Sequence, residues 1–192
     1  MKSNSQFGKL EQYIGPGGYY SSRDDVIIST LLGSCISVAL YDPGVPVGGM
    51  NHFMLPFPKV RDDSLYSSTA MYGINAMEVL INDILKKGGR KNCLRAKVFG
   101  GSTVLAFDRQ ATYDIPKMNI TFIFDFLERE HLPVDSYSVG GSSARKIWFF
   151  PQTARVLMSY SKASSGGLAR RENIYSQKLL ESTSNAGKPI LF

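Results

Sequence analysis

Two cysteines and two histidines are all the thiol and imidazole in this 192-residue sequence. Cys35 and Cys93 cannot build the multi-bridge framework that holds small secreted domains together, so a reducing compartment is the simpler expectation. With no CxxC and no HxxxH spacing, nothing points to a zinc site. A membrane helix needs roughly 20 consecutive apolar residues. The most membrane-like run, Val26 to Tyr41, is shorter and is interrupted by Ser29, Thr30, Gly33, Ser34 and Ser37, so it reads as buried strand and no membrane insertion is expected. The N-terminus lacks a basic, then hydrophobic, then small-residue leader, which points to a cytoplasmic protein. No tandem repeat is visible, since Phe99-Gly-Gly-Ser102 and Val139-Gly-Gly-Ser142 are too short to count as one. A basic stripe interleaved with aromatics is also missing, although the net charge is +6 and the pI near 9.3. Half of that excess lies from Lys162 onward, where five basic residues face two acidic ones. It reads as solvated charge rather than a nucleic-acid footprint.

What is present is globular composition, 43% apolar and 20% charged, enough for one domain with a sizeable core. The expected domain covers residues 1–161. Residues 162–192, rich in Ser, Gly, Ala, Lys and Arg, form a basic extension that is flexible or loosely helical. The first 25 residues read as an irregular lead-in broken by Gly15-Pro-Gly-Gly18, able to pair an edge strand. Val26-Ile27-Ile28 opens a buried strand that Gly33-Ser34 breaks. Ile36, Val38 and Leu40 then alternate with Ser37, Ala39 and Tyr41, the period-two pattern of a strand with one face in the core. A third strand runs from Gly49 to Leu55. Residues 57–67 are polar and irregular, a candidate mobile loop. Ile74, Met77, Ile81, Ile84 and Leu85 recur at helical spacing until Gly88-Gly89, and a second helix covers 116–132. Leu94 to Val98 and Asp135 to Val139 read as strands ending in glycine turns, and residues 147–160 as a hairpin. Hairpin-like pairing early and strand–helix alternation later predict an α/β layered domain with a mixed β-sheet and two main helices.

Chemistry concentrates between residues 29 and 56. Cys35 sits just behind a Gly-Ser turn, and an unperturbed thiol, with a pKa of about 8.5, needs a base to become a competent nucleophile. His52 lies in the next strand-like run, and the short turn Pro43-Gly-Val-Pro-Val-Gly48 can bring the two side by side. The glycine turn exposes backbone N–H groups beside the thiol, the donors a tetrahedral oxyanion requires. A third group usually orients the imidazole through its other nitrogen. Ser29 and Thr30 both offer a hydroxyl for that task. Cys93 reads as structural or incidental, and His131 as a helix C-terminal residue without chemistry. Arg145 and the glycine turns at 100 and 140 either line the approach to the site or are simply sheet-end turns.

The combination Leu32-Gly-Ser-Cys35, Leu40-Tyr-Asp-Pro43, Gly49-Met-Asn-His-Phe-Met-Leu-Pro56, Tyr72-Gly, Ala96-Lys-Val-Phe-Gly-Gly101 and Gly140-Gly141 with Arg145-Lys-Ile147 resembles the CheD family of chemoreceptor glutamine deamidases, over roughly residues 12–160. The resemblance implies a cytoplasmic enzyme that hydrolyses glutamine side-chain amides on methyl-accepting chemotaxis receptors to glutamate, releasing ammonia, with no metal or organic cofactor. It implies Cys35 as nucleophile and His52 as base. The family's third member is a threonine six positions before the cysteine; here that position is Ser29, with Thr30 beside it. It also implies receptors, and a CheC-type phosphatase, as partners. A docking protein for those partners with little or no catalysis is the alternative, and a papain-like peptidase shares the dyad.

Overall fold

The computed structural model describes residues 2–4, 7–55, 68–103 and 114–161, and positions 167, 172, 174, 175, 177 and 178 of the C-terminal extension. The loop expected at 57–67 lies outside the described residues. Among the described residues, ten strands form two five-stranded sheets. In the first, β1 (Lys2–Asn4), β2 (Lys9–Tyr13), β4 (Val26–Leu32), β9 (Ala144–Phe150) and β10 (Arg155–Ser161) lie in that order, with β2 and β4 parallel and the other pairs antiparallel. In the second the order is β3 (Tyr19–Ser22), β6 (Val47–Asn51), β5 (Ile36–Asp42), β7 (Arg95–Gly100) and β8 (Val134–Val139), with only β7 and β8 parallel.

The expected class therefore holds: an α/β layered domain with mixed strands and two main helices, α1 (Ser68–Lys86) and α2 (Ile115–Arg129). The strands divide between two sheets rather than one. The lead-in is also more ordered than its composition suggests, since it supplies β1, β2 and β3.

Strand β5 explains the layering. Its residues are buried throughout. Ile36, Val38 and Leu40 pack with Met77, Leu80 and Ile84 of α1 and Ile123 and Leu127 of α2. The intervening Ala39 and Tyr41 join Ile28, Leu32, Ile147 and Phe149 in a second core between the sheets. Successive side chains of a strand point to opposite faces, so β5 is the central layer, with helices on one side and the first sheet on the other. The alternation of Ser37, Ala39 and Tyr41 suggests a polar outer face; Ser37 and Ala39 are small enough to lie under another sheet instead.

The Tyr41-Asp42-Pro43 segment closes the β5–β6 turn. Asp42 accepts from the Gly44 N–H, the Arg90 N–H, and Arg90 Nε and Nη2 at 2.8–3.0 Å. The Arg90 side chain holds the buried Asp42 carboxyl down at about pKa 2. A carboxyl whose pKa is lowered by folding adds stability at a pH above its unfolded value of about 3.9, and that stability fades as pH falls towards 2. Asp42→Asn is expected to cost about 1–3 kcal/mol at pH 7. Denaturant melts should show the gap between variant and wild type narrowing from pH 5 down to pH 2.

Candidate active site around Cys35

The turn between β4 and β5 is fixed from several sides. Gly101 N–H donates to the Cys35 carbonyl and Ser102 N–H to the Gly33 carbonyl, at 2.8 and 2.7 Å. Asn119 of α2 donates to the Ser34 carbonyl and accepts from the Leu55 N–H, both at 2.8 Å. With the carbonyls of Gly33, Ser34 and Cys35 held in this way, the N–H groups of the same three residues converge on one small nest. Gly100 must be glycine here, because its φ is +112° and a Cβ would lie 2.1 Å from the Cys35 carbonyl oxygen.

His52 follows β6. The backbone groups of Ile36 and Phe53 exchange two hydrogen bonds of 2.8 Å in an antiparallel bridge. That register continues the β5–β6 pairing, so His52 is opposite Ser37 and Cys35 opposite Met54. Cys35 and His52 therefore share the inter-sheet face as diagonal neighbours, with no hydrogen bond between the thiol and Nε2. The lead-in holds the histidine's backbone: His52 N–H donates to the Gly18 carbonyl and Gly17 N–H to the His52 carbonyl, at 2.9 and 2.7 Å.

The hydroxyl beside His52 belongs to Thr30, 2.7 Å from Nδ1. Ser29 does not reach it. Ser29 lies on the opposite face of β4, with its hydroxyl on the Glu11 carboxylate of the neighbouring strand, as strand alternation demands. Of the two hydroxyls the sequence offered for orienting the imidazole, Ser29 at the family's position and Thr30 beside it, only Thr30 is within hydrogen-bond distance of the ring. Thr30 Oγ1 donates its only proton to the Ile14 carbonyl, at 2.7 Å. Towards His52 it can then act only as acceptor, so Nδ1 carries the ring proton. Nε2 is left as a bare lone pair, buried and without a partner among the described residues. Burial lowers the imidazole pKa to about 3, so the ring is neutral across the ordinary pH range.

Cys35 itself is fully buried. What faces it is Glu172 of the C-terminal extension. The Glu172 carboxylate accepts from the N–H groups of Gly33 (3.0 Å), Ser34 (3.1 Å) and Cys35 (3.5 Å), and from the Ser34 hydroxyl at 2.6 Å. Burial, first, and the adjoining Glu172 carboxylate, second, push the Cys35 thiol well above its usual pKa.

Arg145 does not line the nest. Its buried guanidinium donates to Ser102 Oγ, to the Gly140 carbonyl at 2.6 Å and to Ser138 Oγ at 3.1 Å, so it ties the two glycine turns to each other. Cys93 sits in a short 3-10 turn at Lys91–Cys93. His131 lies just past the C-terminal end of α2 with φ +54°, and its N–H donates to the Glu128 carbonyl. Among the described residues, no group of three or more His, Cys, Asp or Glu side chains could hold a metal ion, and no helix is long and apolar enough to cross a membrane.

Asn119 and Glu172 are the site residues that the sequence reading misses. Asn119 had a signal: Ile115, Ile123 and Leu127 form a buried stripe on α2 and Asn119 falls in register with them, a polar residue on an apolar stripe. Glu172 had none, because no local pattern links it to a turn some 138 residues earlier.

The arrangement offers a thiol, a neutral imidazole with a free nitrogen, and a nest of donors for negative charge. The model of the family described as "CheD chemotactic sensory transduction" matches residues 54–160. The chain is 44% identical over 141 residues to "Probable chemoreceptor glutamine deamidase CheD 1" of Shewanella oneidensis, covering 73% of this chain and 68% of that protein. It is 38% identical over 185 residues to "Probable chemoreceptor glutamine deamidase CheD 2" of the same organism, covering 93% and 92%. With the protein named "Probable chemoreceptor glutamine deamidase CheD" of Herminiimonas arsenicoxydans it shares 40% identity over 178 residues, covering 92% and 86%.

Proposed function

We propose, from the premise that this chain belongs to the CheD family, that it is a cytoplasmic protein-glutamine deamidase acting on chemoreceptors. The single observation that carries the reading is the bare Nε2 of His52 on the same face as Cys35, with a donor nest beside the thiol.

His52 Nε2 takes the Cys35 proton as the sulfur bonds to the side-chain carbonyl carbon of the substrate glutamine. The carbonyl electron pair moves onto oxygen, and the N–H groups of Gly33 to Cys35 hold the resulting oxyanion. On collapse the C–N bond breaks, and the imidazolium gives its proton to the departing nitrogen as ammonia. A thioester joins Cys35 to the substrate. His52 then takes a proton from water as hydroxide adds to the thioester carbon; the C–S bond breaks, the released sulfur takes the imidazolium proton, and glutamate is the product. Amide plus water gives carboxylate plus ammonium, and the receptor gains one negative charge per turnover.

Thr30 is a positioning residue in this scheme, fixing the tautomer that leaves Nε2 free. Thr30→Val keeps shape but removes the acceptor for Nδ1–H, and kcat is expected to fall about 10- to 100-fold with KM little changed. Thr30→Ser should restore most of it. A merely structural role would not separate valine from serine in this way.

The reading is tested by incubating the protein with receptor cytoplasmic fragments and following mass and ammonia together. Conversion of specific glutamines, each gaining one mass unit with one equivalent of ammonia and no new peptide termini, is expected. New termini would make it a peptidase, and binding without any mass change would make it a docking protein.

A further inference from the structure

Glutamate is the product of the proposed reaction, and a glutamate already occupies the site. Glu172 is 2% exposed. Its carboxylate meets four donors of the nest, and its hydrogen bonds among the described residues include no cation. A buried carboxylate is tolerated only when its oxygens are so satisfied. Oε1 takes the Gly33 and Cys35 N–H groups, where the mechanism seats the oxyanion. Oε2 takes the Ser34 N–H and hydroxyl. Tyr175, three positions on and also helical, is the second contact. A Cβ on Gly17 would lie 2.8 Å from its ring, and the Gly17 N–H is the group that holds the His52 carbonyl. Tyr175 also packs with the inter-sheet core that includes Cys35.

We propose that Glu172, backed by Tyr175, is a product-like ligand built into the chain, which occupies the Cys35 site in cis and must be displaced before a substrate glutamine can enter. The inference rests on the deamidase reading and adds its regulation. Occupancy does two things at once. It fills the oxyanion seat, and it sets a carboxylate against the thiol, which opposes thiolate formation. A carboxylate satisfies all four donors, whereas an amide nitrogen cannot accept from the Ser34 N–H, so the resident glutamate holds the nest better than a glutamine does.

Two measurements on full-length protein test this. Glu172→Gln places a substrate side chain where the product-like one sits. Peptide mass spectrometry is expected to find residue 172 converted back to glutamate in the purified variant, and still glutamine when Cys35→Ala is added. The second measurement is the rate of Cys35 alkylation by iodoacetamide at neutral pH. If the resident side chain fills the site nine-tenths of the time, Glu172→Ala labels about tenfold faster than wild type. Tyr175→Ala, which leaves every donor of the nest in place, should also label faster, so the test survives if one variant fails to fold.

An unconverted glutamine at position 172 in a Glu172→Gln protein that still deamidates receptor fragments overturns the proposal and leaves the deamidase reading intact. Alkylation equal to wild type in both folded variants overturns it as well. If neither the glutamine placed at position 172 nor any receptor glutamine is ever converted, the deamidase reading falls and this inference falls with it.

Discussion

Cys35→Ala is expected to lower glutamine conversion on receptor fragments by about 10⁴-fold or more, since in the proposed mechanism it removes the nucleophile of a dyad whose members act as one unit. The fold should survive. Cys35 is a small buried side chain whose backbone is held by Gly101 and the nest turn, so alanine deletes one sulfur without unpairing a strand. The variant should keep its receptor affinity, because the nest donors belong to the backbone and to Ser34. A melting temperature near wild type with conversion at the background level, read by mass spectrometry, is the expected pair of results. Wild-type conversion would remove the thiol from the mechanism altogether.

His52→Gln is expected to reduce conversion about 10³- to 10⁴-fold while doing the opposite to acid tolerance. The two effects have one cause, a neutral ring buried with its Nε2 unpaired among the described residues. In the unfolded chain this histidine takes a proton near pH 6.5; in the folded chain burial delays that to about pH 3. A lowered folded pKa gives stability that is present above the unfolded value and lost as pH falls through the window from about 6.5 to 3. Glutamine has no proton to gain, so the variant's stability should change less than wild type's over that window. Equal acid sensitivity in both proteins would mean that the ring is solvated in solution and not the desolvated base described above.

How much of this was legible beforehand depends on distance along the chain. β4 follows from a short apolar run, β5 from alternation of apolar residues, β9 and β10 from a hairpin-like pair of short runs, and α1 and α2 from their helical stripes. Cys35 and His52 are close enough in sequence for one turn to suggest their meeting. Ser29 against Thr30 was undecidable because the Gly33-Ser34 turn interrupts the alternation that would otherwise carry strand parity back from Cys35. Only the sheet register shows Thr30 sharing the inter-sheet face with Ile28 and Leu32, and Ser29 turned to Glu11. The split into two sheets was hidden for a related reason. β2 pairs β4 and β4 pairs β9, partners that no local pattern encodes. Glu172 is the extreme case: a carboxylate in a basic, Ser-rich stretch carries no mark of the nest it fills.

The proposed mechanism turns on a thioester between Cys35 and the glutamine side chain, and hydroxylamine can trap it. A thioester partitions between water and the added nucleophile, so receptor glutamines treated with wild-type protein should yield glutamyl hydroxamate beside glutamate, in a ratio that rises with hydroxylamine concentration. Cys35→Ala should yield neither. Glutamate alone, unaffected by high hydroxylamine, would mean that water attacks the amide directly and would contradict the covalent mechanism.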